Sequence, residues 1–465
     1  MQDLFSGVIM DEFTQAQLGD QRRTRRLTRL ADALARAPDA SLPDATGSWG
    51  QACAAYRFFA HTDFTPQEVL QPHLARTRQR AAVHATVLAV ADTTTLHFGQ
   101  GAGAQGLGPV GSSATQSTGL FQHSLLAFTP AGLPLGLLDC QWWARDPARF
   151  GAAGGRNRKP VADKESAKWL RSYEALQTHA AQTPAVHWVL VADREADLYE
   201  LFAQAQAAPA APGVLVRVQH NRSVERSTRR LFAQVTQTPV AGRWRVKVPR
   251  RPGRAARTAQ VSVRFREVRL SAPGLKADQP ALRLWAVEVR EPHPPRGGAP
   301  LHWRLLTTEP VRTLGQARRI VEWYGVRWGI EVFHKVLKSG GAVEAVQLKH
   351  AERLQRYLAI QVVIAWQTLA LTHLGRVQPT ARVREILGPE AWRVLRAATR
   401  ATDGVPVRAT VQEAIRRLAR LGGHLGRRGD GAPGPLSVAR GLRRLHDITL
   451  GWQLARKKPK AKKCA

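Results

Sequence analysis

Two short apolar runs, each meeting an aspartate, constrain this chain most. They are "VLAVAD", residues 87–92, and "VHWVLVAD", residues 186–193. Both are rich in β-branched residues and too short for a stable helix, so they read as buried strands. Between them lies "GLFQHSLLAFTPAGLPLGLLDCQWW", two apolar segments around a "TPAG" turn, and then "DKESAKWLRSYEALQTHAAQ", which has helical spacing. Helical spacing resumes after Asp193 in "READLYELFAQAQ". Strand, hairpin, helix, strand, helix predicts an α/β fold on a mixed sheet. Asp92 and Asp193 are both expected to end their strands, and in open α/β sheets ligand sites form at strand ends. Aspartate is also a favoured helix N-cap, so each position alone leaves two readings open.

A third acidic residue sits in "YGVRWGIEVFHKVLK", residues 324–338. Offsets of three, four and seven put Tyr324, Arg327, Glu331 and Lys338 on one side of a helix. Trp323, Val326, Ile330, Phe333 and Leu337 form an apolar stripe beside them, the face such a helix buries. A solvated charged face has the same spacing. A carboxylate flanked by two cations and a phenol is also what a phosphate-processing metal site needs. Carboxylates gathered around one point hold Mg²⁺ or Mn²⁺. Two such ions about 4 Å apart activate a water or a 3′-OH and stabilise the leaving oxygen of a phosphodiester. On that reading Glu331 is a metal ligand, and Tyr324, Arg327 and Lys338 hold a DNA end beside it.

Charge points to the same partner. Lys and Arg number 69 against 35 Asp and Glu, a formal charge of +34 in 465 residues. That excess fits a polyanion, of which nucleic acid is the commonest. An anionic membrane surface is the rival. No run of about eighteen apolar residues is evident, so no membrane span is expected. The N-terminus lacks the basic start and apolar core of a signal peptide. Cys53, Cys140 and Cys464 are scattered without metal-type spacing, which fits a reducing cytoplasm.

Residues 1–80 read as helical. "LGDQRRTRRLTRLADALARA" crowds Arg22, Arg23 and Arg26 into the first turns of a helix, where cations oppose the helix dipole; DNA phosphates would offset them. From about 210 to 310 the chain alternates with period two and carries Arg and Lys outward, which predicts a β insertion with one basic face. Trp303 lies in its last strand, where packing in a core is the stronger reading from the residues alone. Helices are expected from 341 onward, beginning with one long apolar helix straight after Lys338. Large apolar faces there suit self-association, and a basic tail follows, "RKKPKAKKCA".

With Asp92, Asp193 and Glu331 in that order, and Tyr-x-x-Arg-x-x-x-Glu-x-x-x-x-x-x-Lys around the last, the chain resembles the DDE transposases of bacterial insertion sequences. It is most similar to their IS-four family, which includes the transposon-five transposase. "DTTTLHF", "DREADLYELF", "LTTEPV", "LGDQRRTRRL" and "AAYRFF" share the resemblance. It covers most of the chain and weakens after residue 390.

The resemblance implies a ribonuclease-H-like catalytic core at 81–340 interrupted by the β insertion. It implies a helical end-binding domain at 1–80 and a helical dimerisation region at 341–465. Asp92, Asp193 and Glu331 would be the metal triad for two Mg²⁺ or Mn²⁺ ions. The implied activity is cut-and-paste transposition, with hydrolysis at the transposon ends, a hairpin intermediate and joining to target DNA by a paired-end homodimer. Trp303 would stack on a flipped base. The implied setting is the bacterial cytoplasm, in association with the nucleoid. Three rivals remain at this point: a silent transposase-derived DNA-binding or inhibitory protein, a nuclease of the same core without strand transfer, and a polybasic membrane-surface protein.

Overall fold

The computed structural model describes residues 9–99, 104–111, 117–150, 160–248, 257–274, 278–295, 300–399, 409–427 and 429–456. The lysine-dense tail from residue 457, with Cys464, lies outside them.

The chain begins with helices: α1 (Gln21–Arg36), α2 (Leu42–Thr46), α3 (Trp49–Ala60) and α4 (Pro66–Ala81). Each of these helices follows a side-chain cap. Asp20, Ser41, Ser48 and Thr65 each accept a backbone N–H of the first turn, and Thr65 forms a capping box with Glu68. Leu27, Leu30, Ala31 and Leu34 turn the other side of α1 inward. Asp20 also meets the Arg22 guanidinium at 3.0 Å, so the crowded arginines of α1 are partly balanced within the protein.

The central sheet contains β1 (Thr86–His97), β2 (Gly108–Pro109), β3 (Thr118–Phe128), β4 (Pro134–Trp143), β5 (His187–Ala192) and β6 (Gly213–Arg217). Helix α5 (Ala167–Gln182) precedes β5, and α6 (Tyr199–Gln206) follows it. The turn between β3 and β4 closes with Gly132 N–H donating to Thr129 O at 2.8 Å, and Gly132 has φ +86°. β3 lies antiparallel to β1, and β4 to β3; β5 is parallel to β1, and β6 to β5. Three antiparallel strands followed by two parallel ones, ordered β4-β3-β1-β5-β6, is the ribonuclease-H-like arrangement expected.

Alternation within strands divides the core into two layers. Leu88, Val90, Val189, Val191 and Leu215 face one side, and Val87, Ala89, Ala91, Leu190, Ala192, Val214 and Val216 face the other. α5 and α6 cover the second layer through Trp169, Tyr173, Leu201 and Phe202.

Two expectations change here. β1 does not end at Asp92: it pairs with β3 as far as His97↔Gly119, so Asp92 lies mid-strand. The β-branched threonines Thr93–Thr95 are good strand formers and carry β1 on past Asp92. Residues 213–217, expected among the insertion strands, form the buried fifth strand of the core.

The insertion comprises α7 (Leu231–Thr236), β7 (Gly242–Val248), β8 (Arg257–Leu270), β9 (Leu282–Arg290) and β10 (His302–Thr307). β10 pairs with β6, so these strands extend the central sheet to ten strands. Its face is less bare than a basic surface would be. Arg264, Arg304 and His302 surround buried Glu288; Arg283 meets Glu267, Arg269 meets Glu225, and Arg257 meets Glu291.

The remaining helices are α8 (Leu314–Val326), α9 (Trp328–Lys335), α10 (Ala351–Val377), α11 (Pro389–Ala398), α12 (Val411–Leu421) and α13 (Pro435–Arg456). α10 starts at Ala351 rather than directly after Lys338. It also corrects the membrane expectation: by length and composition it could cross a membrane, with a mean hydropathy of 1.4, but 89% of that window is buried inside the protein. It is a core helix, packed on α4, β4 and the α9 region. A buried polar knot ties the N-terminal segment to this core. Glu12 meets Arg80 at 2.7 Å and His73 at 2.6 Å, and Arg80 stacks on Trp366 of α10.

Candidate active site

Strand register explains why Asp92 and Asp193 are neighbours. β1 and β5 run parallel with Val90 opposite Val191. Two residues further, the same register sets Asp92 beside Asp193, on strands about 4.8 Å apart. Parity points both carboxylates to the layer of Val90 and Val191, where α8 and α9 pack. Asp193 follows β5 directly. Its Oδ1 accepts the Glu195 N–H at 2.9 Å and caps the 3-10 turn Arg194–Ala196, so the capping role is real as well.

Glu331 arrives from α9. The expected single helix through 324–338 is broken: α8 stops at Val326, Arg327 is the junction, and α9 starts at Trp328. Gly329 lets α9 settle on the sheet, since a Cβ there would lie 2.7 Å from the Phe128 ring. Ile330, Phe333 and Leu337 are buried as expected, with Val326 half-buried.

Arg327 joins the acidic groups. Its Nη1 donates to Asp92 Oδ2 at 3.1 Å, and its Nη2 donates to Glu331 Oε1. The Arg327 side chain is only 15% exposed and that of Asp92 18%, against 34% for Glu331. Burial pushes the Asp92 carboxyl up to about 6; Arg327 opposes the shift, while the charges of Asp193 and Glu331 add to it. Both other carboxylates thus bear electrostatically on Asp92. As they stand, no three acidic, histidine or cysteine side chains among the described residues are grouped closely enough to hold a metal ion. The donor set still suits Mg²⁺ or Mn²⁺, being all hard oxygen. A positive charge, Arg327, already occupies the space between two of the three.

The other expected residues divide. Tyr324 is buried, and burial raises its hydroxyl pKa, with Arg327 opposing. Trp303 is half-buried and meets Tyr324 edge to face, ring centroids 5.2 Å apart. Lys338 leaves the stripe. It sits on a π-helical turn, Val336–Gly340, and faces Glu344 at 3.8 Å, while Glu344 accepts the His97 N–H at the far end of β1. π-helical turns are frequent at functional sites. Of the N-terminal arginines, Arg22 is 88% exposed, Arg26 donates to Gln51, and Arg23 is bound to Asp63 and Leu18 O.

Polar pairs on both faces of the sheet next to Asp92 were missed, Thr93 and His123 toward α5 and Ser124 and His334 toward α9. Thr93 Oγ1 and His123 Nδ1 lie 2.8 Å apart, and His334 Nε2 lies 3.4 Å from Ser124 Oγ. Both histidines are buried and pushed down, His334 to about 3, so both are neutral. The signal was present: "QHS" interrupts an otherwise apolar strand at residues 122–124.

Two family models match this chain. Residues 6–64 match the family described as "Transposase DNA-binding", and residues 363–461 match "Transposase Tn5 dimerisation domain". Each match is to one end of the chain, and the stretch between them, with Asp92, Asp193 and Glu331, lies outside both. One solved structure it resembles is "Cryo-EM structure of piggyBac transposase synaptic complex with hairpin DNA (SNHP)", at 9% identity and a TM-score of 0.40, covering 88% of this chain and 87% of that one. The matched domains bracket the sheet: one lies across α1–α3, the other runs from within α10 to beyond α13. In sequence, the two matched segments lie on either side of the three carboxylates.

Proposed function

We propose that this DNA transposase cuts and joins DNA at Asp92, Asp193 and Glu331, acting at the inverted-repeat ends of its own element. The observation that carries the reading is Arg327 bonded at once to Asp92 and Glu331, with Asp193 on the neighbouring strand. Residues from β1, β5 and α9 converge on one acidic niche in a protein of net charge +34. Carboxylates confined there repel one another unless a cation joins them.

Asp92, Asp193 and Glu331 would hold Mg²⁺ or Mn²⁺, which when bound supplies an activated water or 3′-OH and charge stabilisation at the leaving oxygen. The protein's own groups position the DNA. Arg327 offers a planar fork suited to a phosphate, and Lys338 adds a point charge once it leaves Glu344. Trp303, already against Tyr324, offers a ring face to an unstacked terminal base. The reaction order follows the family: hydrolysis frees the 3′-OH at each end, that 3′-OH attacks the opposite strand, a second water opens the hairpin, and the new 3′ end joins target DNA. A homodimer would hold both ends together, in the bacterial cytoplasm beside the nucleoid.

One observation favours a silent DNA-binding protein: a tethered cation fills the niche. The same experiment separates the readings. With Mg²⁺ and a duplex carrying the element's end, nicks, hairpins and joined products are expected. Asp92→Asn, Asp193→Asn and Glu331→Gln should each abolish them while leaving end binding intact. Binding without products under Mg²⁺ or Mn²⁺ supports the silent reading; unchanged products from the triple variant remove these residues from the chemistry.

A further inference from the structure

Trp49 is the most exposed large apolar side chain among the described residues, at 75%. An indole left in water forgoes a large burial area. Its surroundings suit contact with a bulky partner. It sits in "GSWG": Gly47 is in the left-handed region at φ +73°, and the space around both Gly47 and Gly50 is open. Ser48 caps the helix that Trp49 begins. The indole thus stands on small residues at a rigid helix start.

Charge identifies the partner. α1 shows solvent a row of arginines, Arg22, Arg26 and Arg29, at offsets of four and three, with Arg25 alongside. Arg26 Nη1 donates to Gln51 Oε1 at 2.8 Å, which fastens that row to the first turn of α3. The nearby aspartates are engaged: Asp20 by Arg22, Asp63 by Arg23. An apolar group beside a row of cations matches DNA, whose phosphates flank base edges that include the apolar thymine methyl in the major groove. It does not match a second protein surface of the same +34 charge.

We propose that Trp49 is a specificity-determining contact, its indole packing against base edges in a groove of the transposon end while the α1 arginines hold the flanking phosphates. The assignment rests on the reading that residues 6–64 bind the element's own end.

Two duplexes test it with the full chain: the element's terminal repeat, and the same bases shuffled. Affinity is measured by fluorescence anisotropy across a salt series. Trp49→Ala should weaken binding to the repeat by about tenfold or more, the scale of losing one base-pair contact in a duplex site. It should leave the shuffled duplex and the salt slope unchanged. Trp49→Phe should recover part of the loss. Arg29→Ala should weaken both duplexes alike and lower the salt slope by about one. Circular dichroism should show Trp49→Ala folded, since little packs on the indole. If wild-type protein does not separate the two duplexes, the end-binding reading itself fails. If wild type separates them and Trp49→Ala does so equally well, Trp49 is not the contact. A variant that changes only the sedimentation state would assign the indole to a protein interface and overturn the proposal.

Discussion

Replacing Arg327 by glutamine tests how the acidic niche is balanced. The guanidinium makes two charge-assisted bonds, to Asp92 and Glu331. Each such bond is worth about 1.5–3 kcal/mol when buried. Glu331 is a third exposed, so solvent screens its share. A net of about 2 kcal/mol is a reasonable sum, and any divalent cation taking these carboxylates must displace it. Arg327→Gln removes the competitor, so Mn²⁺ should bind the DNA-free variant roughly 30-fold more tightly than wild type. Isothermal titration calorimetry at pH 7.5 reads this directly. DNA supplies the second half of the test. If phosphates draw Arg327 away, an end duplex should raise the metal affinity of wild type and leave the variant nearly unchanged, closing the gap. Equal or weaker Mn²⁺ binding by DNA-free Arg327→Gln would refute the competition. A gap that persists with DNA bound would refute the hand-over.

Further predictions concern stability and the order of steps. In the N-terminal knot, burial pushes Glu12 up, but hydrogen bonds from His73 and Arg80 together with the Arg80 charge outweigh it and hold the carboxyl below its usual range. Leu137 N–H donates to His73 Nε2, which leaves Nδ1–H facing Glu12, so His73 is neutral and Arg80 is the balancing cation. The Glu12 contribution is present above about pH 4.5 and is lost as pH falls through the lowered value; Glu12→Gln should flatten the acid limb of a fluorescence-monitored unfolding curve. Gly441 of α13 lies against Leu418 O, where a Cβ would come within 1.8 Å. Gly441→Ala should therefore cost about 1–3 kcal/mol and lower the thermal midpoint of the full chain. Trp303→Ala should slow hairpin formation far more than first-strand nicking in a time course; equal slowing would make Trp303 a packing residue only.

Much of the candidate site's geometry follows from strand parity, which is unforgiving. Leu88 and Val90 in one strand, and Val189 and Val191 in the other, imply that Asp92 and Asp193 continue the same face. The i,i+4 spacing of Arg327 and Glu331 survives as a bonded pair although the helix breaks at Arg327. The break is marked by Gly325 and Gly329 on either side, a local signal that helical periodicity averages away. Two features had no sequence signature. The π-helical turn that aims Lys338 at Glu344 depends on how α10 and α13 pack beside it. The presence of Arg327 inside the niche, instead of in solvent, depends on a strand 235 residues away. Arginines of the insertion looked free because their carboxylate partners come from neighbouring strands, which a single strand's alternation does not reveal.

The central claim is that Asp92, Asp193 and Glu331 bind divalent cations together. Anomalous scattering from Mn²⁺ in crystals of the protein bound to an end duplex measures this most directly. The account predicts manganese peaks contacting all three carboxylates, with Arg327 turned onto a phosphate. Manganese bound elsewhere, or Arg327 still joined to Asp92 and Glu331 beside correctly seated DNA, would contradict it.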